Sequence, residues 1–251
     1  MLTRESLYIR YEGASQQAVR RAFDWLVNYP RERGFIAVMG YGNLEGVISD
    51  VLGKNDVAML KRTGRLRLSN KEIVLITLKR PIYDGQDLPL VAFWPTSEFI
   101  DKLDSIPNIA AMLVVPWKFE EIRTWILIWD ATELGTNPTY RQTPLVSNPV
   151  VEEALKTLTA LVNVSTGISH PNDRKLAIEV FEILRDGGEN YTPVEVKAWL
   201  IREGGWRATD AQKVAELSQK VLEGMKMRKG DYVLSKDILT RWREQARGSE
   251  K

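Results

Sequence analysis

Glycines are set at Gly40, Gly42 and Gly46, directly after the apolar run Phe35-Ile-Ala-Val-Met39. A buried strand that passes through glycines into a helix is a ready anion site. The turn lets backbone N–H groups come close, and the first helical N–H groups have no partner inside the helix. The pattern reads as a strand over 35–39, a glycine turn, and a helix opening at Asn43. Its spacing departs from the dinucleotide fingerprint, whose third glycine would fall where Glu45 stands. The acid wanted roughly 20 residues further on, to hold a ribose hydroxyl, is replaced by Lys79 and Arg80. No dinucleotide cofactor is assigned, and the cofactor is left unknown.

Other chemistry is limited by residue type. The chain has no cysteine and a single histidine, His170. Thiolate zinc sites, cysteine nucleophiles and any site needing two imidazoles are therefore excluded. Ser165 and Ser169 stand close to His170 in sequence, but a catalytic triad is a spatial constellation and adjacency says nothing for it. Ser169-His170-Pro171 reads as a loop entering a helix. Carboxylate pairs occur at helix starts, Glu120-Glu121 and Glu152-Glu153, where the helix dipole favours negative charge. No catalytic residue and no metal ligand is assigned, and the chain reads as a binding protein more than an enzyme.

Cations cluster twice. Between Lys61 and Arg80 lie Lys61, Arg62, Arg65, Arg67, Lys71, Lys79 and Arg80, against Glu72 alone. Arg65 and Arg67 share one face of an alternating segment, so they could lie along a phosphate backbone; the competing reading is an edge strand charged against edge pairing. The second cluster includes Lys226, Arg228 and Lys229. It follows two helices joined through Gly204-Gly205-Trp206, the outline of a winged helix-turn-helix.

The elements that must position these groups follow from periodicity. A helix capped by Ser15 carries Val19, Ala22, Phe23 and Leu26 at helical spacing. A second helix carries Leu44, Val47, Ile48 and Val51, and a third spans 56–61. Arg65–Leu68 and Glu72–Leu78 form a hairpin about Ser69-Asn70. Strands follow over Leu88–Trp94 and Ala110–Val115. Each leads into a helix, through Pro95 to Ser97 and through Pro116 to Lys118.

This alternation predicts a Rossmann-like, mainly parallel α/β sheet flanked by helices over residues 1–134. In such a sheet, ligands sit outside the carboxyl ends of the strands. Three turns should then share a rim, contributing Gly40, Tyr41, Gly42 and Asn43, then Trp94, Thr96 and Ser97, then Trp117. Aromatic walls beside unpaired helix N–H groups suit a small anionic or nucleotide-like ligand.

Periodicity lapses over 135–148, where Pro138 and Pro144 punctuate a polar run ending at Pro149; this reads as a linker. A mostly helical domain follows over 149–247, with Asn148 and Thr192 as helix caps. The net charge of +2 supplies no global drive towards nucleic acid. Without an apolar signal core or a spanning run, the expectation is a cytoplasmic protein that does not enter a membrane.

Overall fold

Apolar runs too short for helices, each followed by a segment with helical spacing, produce an α/β layering in the first half of the chain. The structure, a computed structural model, describes residues 4–136, 144–225 and 234–249. The chain divides into two compact units, with the division between residues 141 and 142.

The first unit holds β1 (Glu5–Tyr8), α1 (Gln16–Asn28), β2 (Arg33–Ala37), α2 (Val47–Leu52) and α3 (Lys54–Thr63). It continues with β3 (Arg65–Leu68), β4 (Lys71–Ile76), β5 (Leu88–Phe93), α4 (Ser97–Asp104), β6 (Ile109–Val115), α5 (Phe119–Trp129) and β7 (Thr132–Glu133). They build one seven-stranded sheet in the order β3-β4-β2-β5-β6-β1-β7. Only β3 runs antiparallel to its neighbour, as a hairpin requires.

Alternate residues of each central strand enter different cores, because successive side chains point to opposite faces. Ile36, Val91, Phe93 and Leu113 pack with α1, α2 and α3 through Leu26, Ile48 and Leu60. Phe35, Ala37, Leu90 and Met112 pack with α4 and α5 through Phe99, Leu103 and Trp125. The sheet is therefore covered by helices on both faces, and its central strands are apolar throughout.

The second layer is pinned by a buried polar cluster. Asp104 at the end of α4 accepts the indole N–H of Trp125 at 3.1 Å and of Trp129 at 2.7 Å. Asp104 also pairs with Arg4, whose guanidinium lies 4.1 Å from the Trp129 ring centroid. Four groups from three parts of the chain thus satisfy one another away from water.

Two strands carry no sequence signal of their own. β1 is four residues long and buries Ser6 beside Leu7, and β7 has two residues. Boundaries also differ from those expected. The strand expected through Leu78 ends at Ile76, and Thr77 and Arg80 close a tight reversal through Leu78 and Lys79.

The second unit contains α6 (Pro149–Leu161), α7 (Pro171–Asp186), α8 (Pro193–Arg202), α9 (Ala208–Leu222) and α10 (Ile238–Ser249). Its helix starts follow the sequence closely. Asn148 Oδ1 accepts from Val150 N–H at 2.9 Å with Pro149 in the first turn. Thr192 and Glu195 form the reciprocal capping box expected of Thr-Pro-x-Glu. His170 caps α7, its Nδ1 accepting from Asn172 N–H at 3.3 Å. The expected wing and the cations Lys226, Arg228 and Lys229 lie outside the described residues, as does the centre of the expected linker. No described helix is long and apolar enough to cross a membrane.

Candidate functional site

At one pair of neighbouring strands in the described sheet the onward connections leave in opposite directions. From β2 the chain moves to β4 on one side, whereas from β5 it moves to β6 on the other, and β2 and β5 are neighbours. The loops leaving their carboxyl ends therefore part in opposite directions, which opens a crevice between them. A cleft of about 480 Å³ lies there, within the size range of small-molecule sites.

The turns after Met39, Phe93 and Val115 do share this rim. Of the residues expected, Gly42, Asn43, Trp94, Thr96 and Trp117 line the cleft. Gly40, Tyr41 and Ser97 stand beside it without lining it. Tyr41 is exposed, and the Ser97 hydroxyl donates to Glu121 O at 3.0 Å. Met39, Glu45, Gly46, Val47 and Glu121 complete the described walls together with Ala14, from a turn that no sequence pattern marks. That fourth turn, after β1, is tied in by two hydrogen bonds: Gly13 N–H donates to Trp117 O at 2.9 Å, and Trp94 Nε1–H donates to Gly13 O at 3.2 Å.

Trp94 is held in an unusual way. Its φ is +50°, in the left-handed region that a bulky side chain rarely occupies. Such a conformation costs about 1–3 kcal/mol and persists only where the surroundings over-determine it, commonly at ligand sites. Here the backbone N–H of Trp94 donates to Val115 O at 2.7 Å, and the indole is bound to Gly13. The exposed Trp117 ring meets it edge-on, with centroids 6.0 Å apart and planes at 88°.

The glycine turn differs from its expected form. No helix opens at Asn43: residues 41–44 make a single 3-10 turn, and α2 starts at Val47 after Gly46, whose φ of +65° breaks the helical path. The Asn43 side chain folds back instead, its Oδ1 accepting from Gly40 N–H at 3.1 Å. Backbone donors elsewhere on the rim are occupied likewise. Ser15 accepts from Ala18 N–H at 3.2 Å, Thr96 from Phe99 N–H at 3.3 Å, and Glu12 from Phe119 N–H at 2.5 Å. The positions an anion would take at these helix starts are filled by the protein's own side chains.

Among the described residues, no lysine, arginine or histidine lines the cleft. Glu45 is paired with Lys61 at 2.5 Å, and that ammonium holds its carboxyl below the usual range. Glu121 has no ion pair or side-chain hydrogen bond among the described residues.

The basic hairpin sits elsewhere, at the β3 edge. Arg65 and Arg67 are exposed there, but Arg65 contacts Glu72 at 3.1 Å. Arg33 Nε shares that carboxylate at 2.7 Å, without hydrogen-bond alignment. Lys71 is not on the surface. It is buried, its Nζ donating to Tyr29 O at 2.6 Å and also to Arg31 O, and burial lowers its pKa. Lys79 is exposed in the tight reversal, while the Arg80 guanidinium occupies the space over Gly64. At the edge itself, Thr63 Oγ1 accepts from Arg65 N–H at 3.1 Å and lies 2.8 Å from Arg65 O. This combination of charge and side-chain plugging fits an edge guarded against pairing.

In the helical unit, the exposed side of α9 is occupied with itself. Lys213 pairs with Asp210 at 2.8 Å, Gln212 with Glu216 at 3.0 Å and Gln219 with Glu223 at 2.7 Å. Residues 147–243 match the model of a domain of unknown function, DUF1889. No curated protein and no solved structure matches the chain. The matched segment falls within the helical unit and leaves the sheet unit, with its cleft, outside it.

Proposed function

We propose that this protein is a non-catalytic binding protein whose sheet unit holds a small molecule with a flat or compact head in the cleft at the carboxyl edge. The observation that carries this reading is the cleft's position, at a pair of adjacent strands whose onward connections diverge, with a left-handed Trp94 forming its wall. Of the two ligand classes suggested by sequence, the nucleotide-like one is supported in its flat ring alone, by the indole walls. The anionic one finds the N–H groups at the starts of α1, α4 and α5 already taken by Ser15, Thr96 and Glu12, and only the start of α2 without a side-chain cap.

Binding without turnover is favoured by the described lining, which includes no serine, histidine or lysine and, as groups that could act as a base, holds Glu45, paired with Lys61, and Glu121, with no nucleophile beside it. Thr96 is committed to its helix cap. The nucleic-acid alternative rests on Arg65, Arg67 and Lys79 at the surface, with Lys71 and Arg80 engaged elsewhere, and gains no support from α9.

The test is a thermal-shift screen of nucleosides, nucleotides, sugar phosphates and small organic cations on the full chain. A true ligand at a hundredfold over its Kd should add about 2.7 kcal/mol of stability. That gain should disappear in Trp117→Ala, whose exposed ring can be removed without opening the core. If no compound in any class raises Tm, the binding reading fails.

A further inference from the structure

Charge at the cleft is one-sided, and this fixes the class of ligand more narrowly than shape does. Among the lining side chains the formal charges are both negative, Glu45 and Glu121. Lys61 neutralises the first at 2.5 Å and is not itself part of the lining. Glu121 keeps an uncompensated charge, one that its place in the first turn of α5 favours.

Most rim donors that would welcome an anion are taken up internally, the start of α2 behind Gly46 being the exception. Glu12, Ser15, Asn43 and Thr96 each take a backbone N–H of the rim. Two indoles at 88° form a corner, one ring buried and fixed, the other half open to solvent. Indole faces carry negative potential and attract cations, most strongly when water is excluded. A corner of two such rings beside one free carboxylate complements a single positive charge on a bulky, weakly hydrated group.

Resting on the binding reading above, we infer that the cleft takes an organic monocation, its quaternary or aromatic nitrogen head seated in the corner formed by Trp94 and Trp117 and paired with Glu121. The remaining volume accommodates the uncharged body of the ligand against Met39 and Val47. Phosphate-bearing molecules are disfavoured by the same carboxylate.

The experiment titrates the full chain with choline, with N-methylpyridinium, with the neutral isostere of choline bearing a tert-butyl group, and with AMP. Calorimetry and the indole N–H resonances in nitrogen-edited NMR are the readouts. At least one of the two cations should bind and move the Trp117 indole signal, assigned by its absence in Trp117→Phe. The neutral isostere of choline should bind no more than about a tenth as tightly as choline, should choline be the cation bound, and Glu121→Gln should weaken cation binding about tenfold. Glu121→Gln should lower Tm only slightly, through the loss of its favourable charge in the first turn of α5, since that carboxylate makes no ion pair or hydrogen bond among the described residues.

If AMP binds and neither cation does, the charge assignment is wrong while the binding reading stands. Cation binding that is indifferent to Glu121→Gln and Trp117→Ala overturns the inference as well. Failure of every probe, together with a blank thermal-shift screen, removes both.

Discussion

At the residue scale, single carboxylates show how burial and hydrogen bonding oppose each other. Burial pushes the Glu195 carboxyl up, but hydrogen bonds from Ser147 and Thr192 outweigh it and leave the group below its usual value of 4.5. Its two oxygens accept from Ser147 N–H at 3.0 Å, from Thr192 N–H at 2.8 Å and from the Thr192 hydroxyl at 2.9 Å. The folded state therefore favours the ionised form. Its contribution is full above the unfolded pKa and is lost as pH falls through the lower, folded one. In urea titrations followed by circular dichroism, the helical signal should lose stability as pH falls below the usual carboxyl value of 4.5. Glu195→Gln should be less stable at neutral pH, by roughly the 0.5–2 kcal/mol of a helix cap, and should show a flatter acid limb. An unchanged acid limb in that variant would mean that other carboxylates carry the dependence. Such reciprocal caps were readable in the sequence because donor and acceptor lie three residues apart. Lys71 was not: nothing in its neighbours indicated that its ammonium would turn inward to the carbonyls of Tyr29 and Arg31.

At the scale of elements, the edges of the sheet pose the main physical problem. β3 closes one edge, and its outward-facing backbone groups at Arg65 are answered by Thr63, the last residue of α3. That contact depends on the sharp reversal at Gly64, whose φ of +74° suits glycine and whose missing side chain leaves room for Arg80. Replacing Thr63 by Val and Arg67 by Thr together should expose the strand for pairing. The double variant should self-associate with rising concentration in light scattering, while Arg67→Thr alone should stay closer to wild type. If the double variant remains as monodisperse as the parent, the edge is protected by something other than Thr63 and charge. The alternating pattern of Arg65–Leu68 already indicated an edge strand. The plug did not show, because it joins a helix end to a strand through a reversal that periodicity cannot describe.

At the scale of the whole molecule, both layers of sheet packing draw, among the described residues, on those between Leu7 and Leu134. The helical unit begins only at residue 142. We expect a fragment ending at Arg141 to fold by itself, to unfold cooperatively in urea, and to keep the cleft and its ligand. A fragment that is molten by near-UV circular dichroism would show that the sheet unit needs the rest of the chain. The family match within 147–243 lies wholly on the helical side of that division.

The sequence by itself determined the kind of layers, the runs that became central strands and most helix starts. Those features depend on near neighbours: apolar runs, helical spacing and caps within three or four residues. It also placed Gly42, Asn43, Trp94, Thr96 and Trp117 at strand ends, where a cleft was expected. Only the tertiary structure decided which strand ends adjoin, because strand order is set by long-range packing that no local pattern encodes. That order brought Ala14 and Glu121 to the same cleft, the latter readable beforehand only as a dipole-favoured acid. It also turned the side chains of Asn43 and Glu12 onto rim N–H groups, so that a turn suited to an anion on paper became a corner of aromatic rings and negative charge.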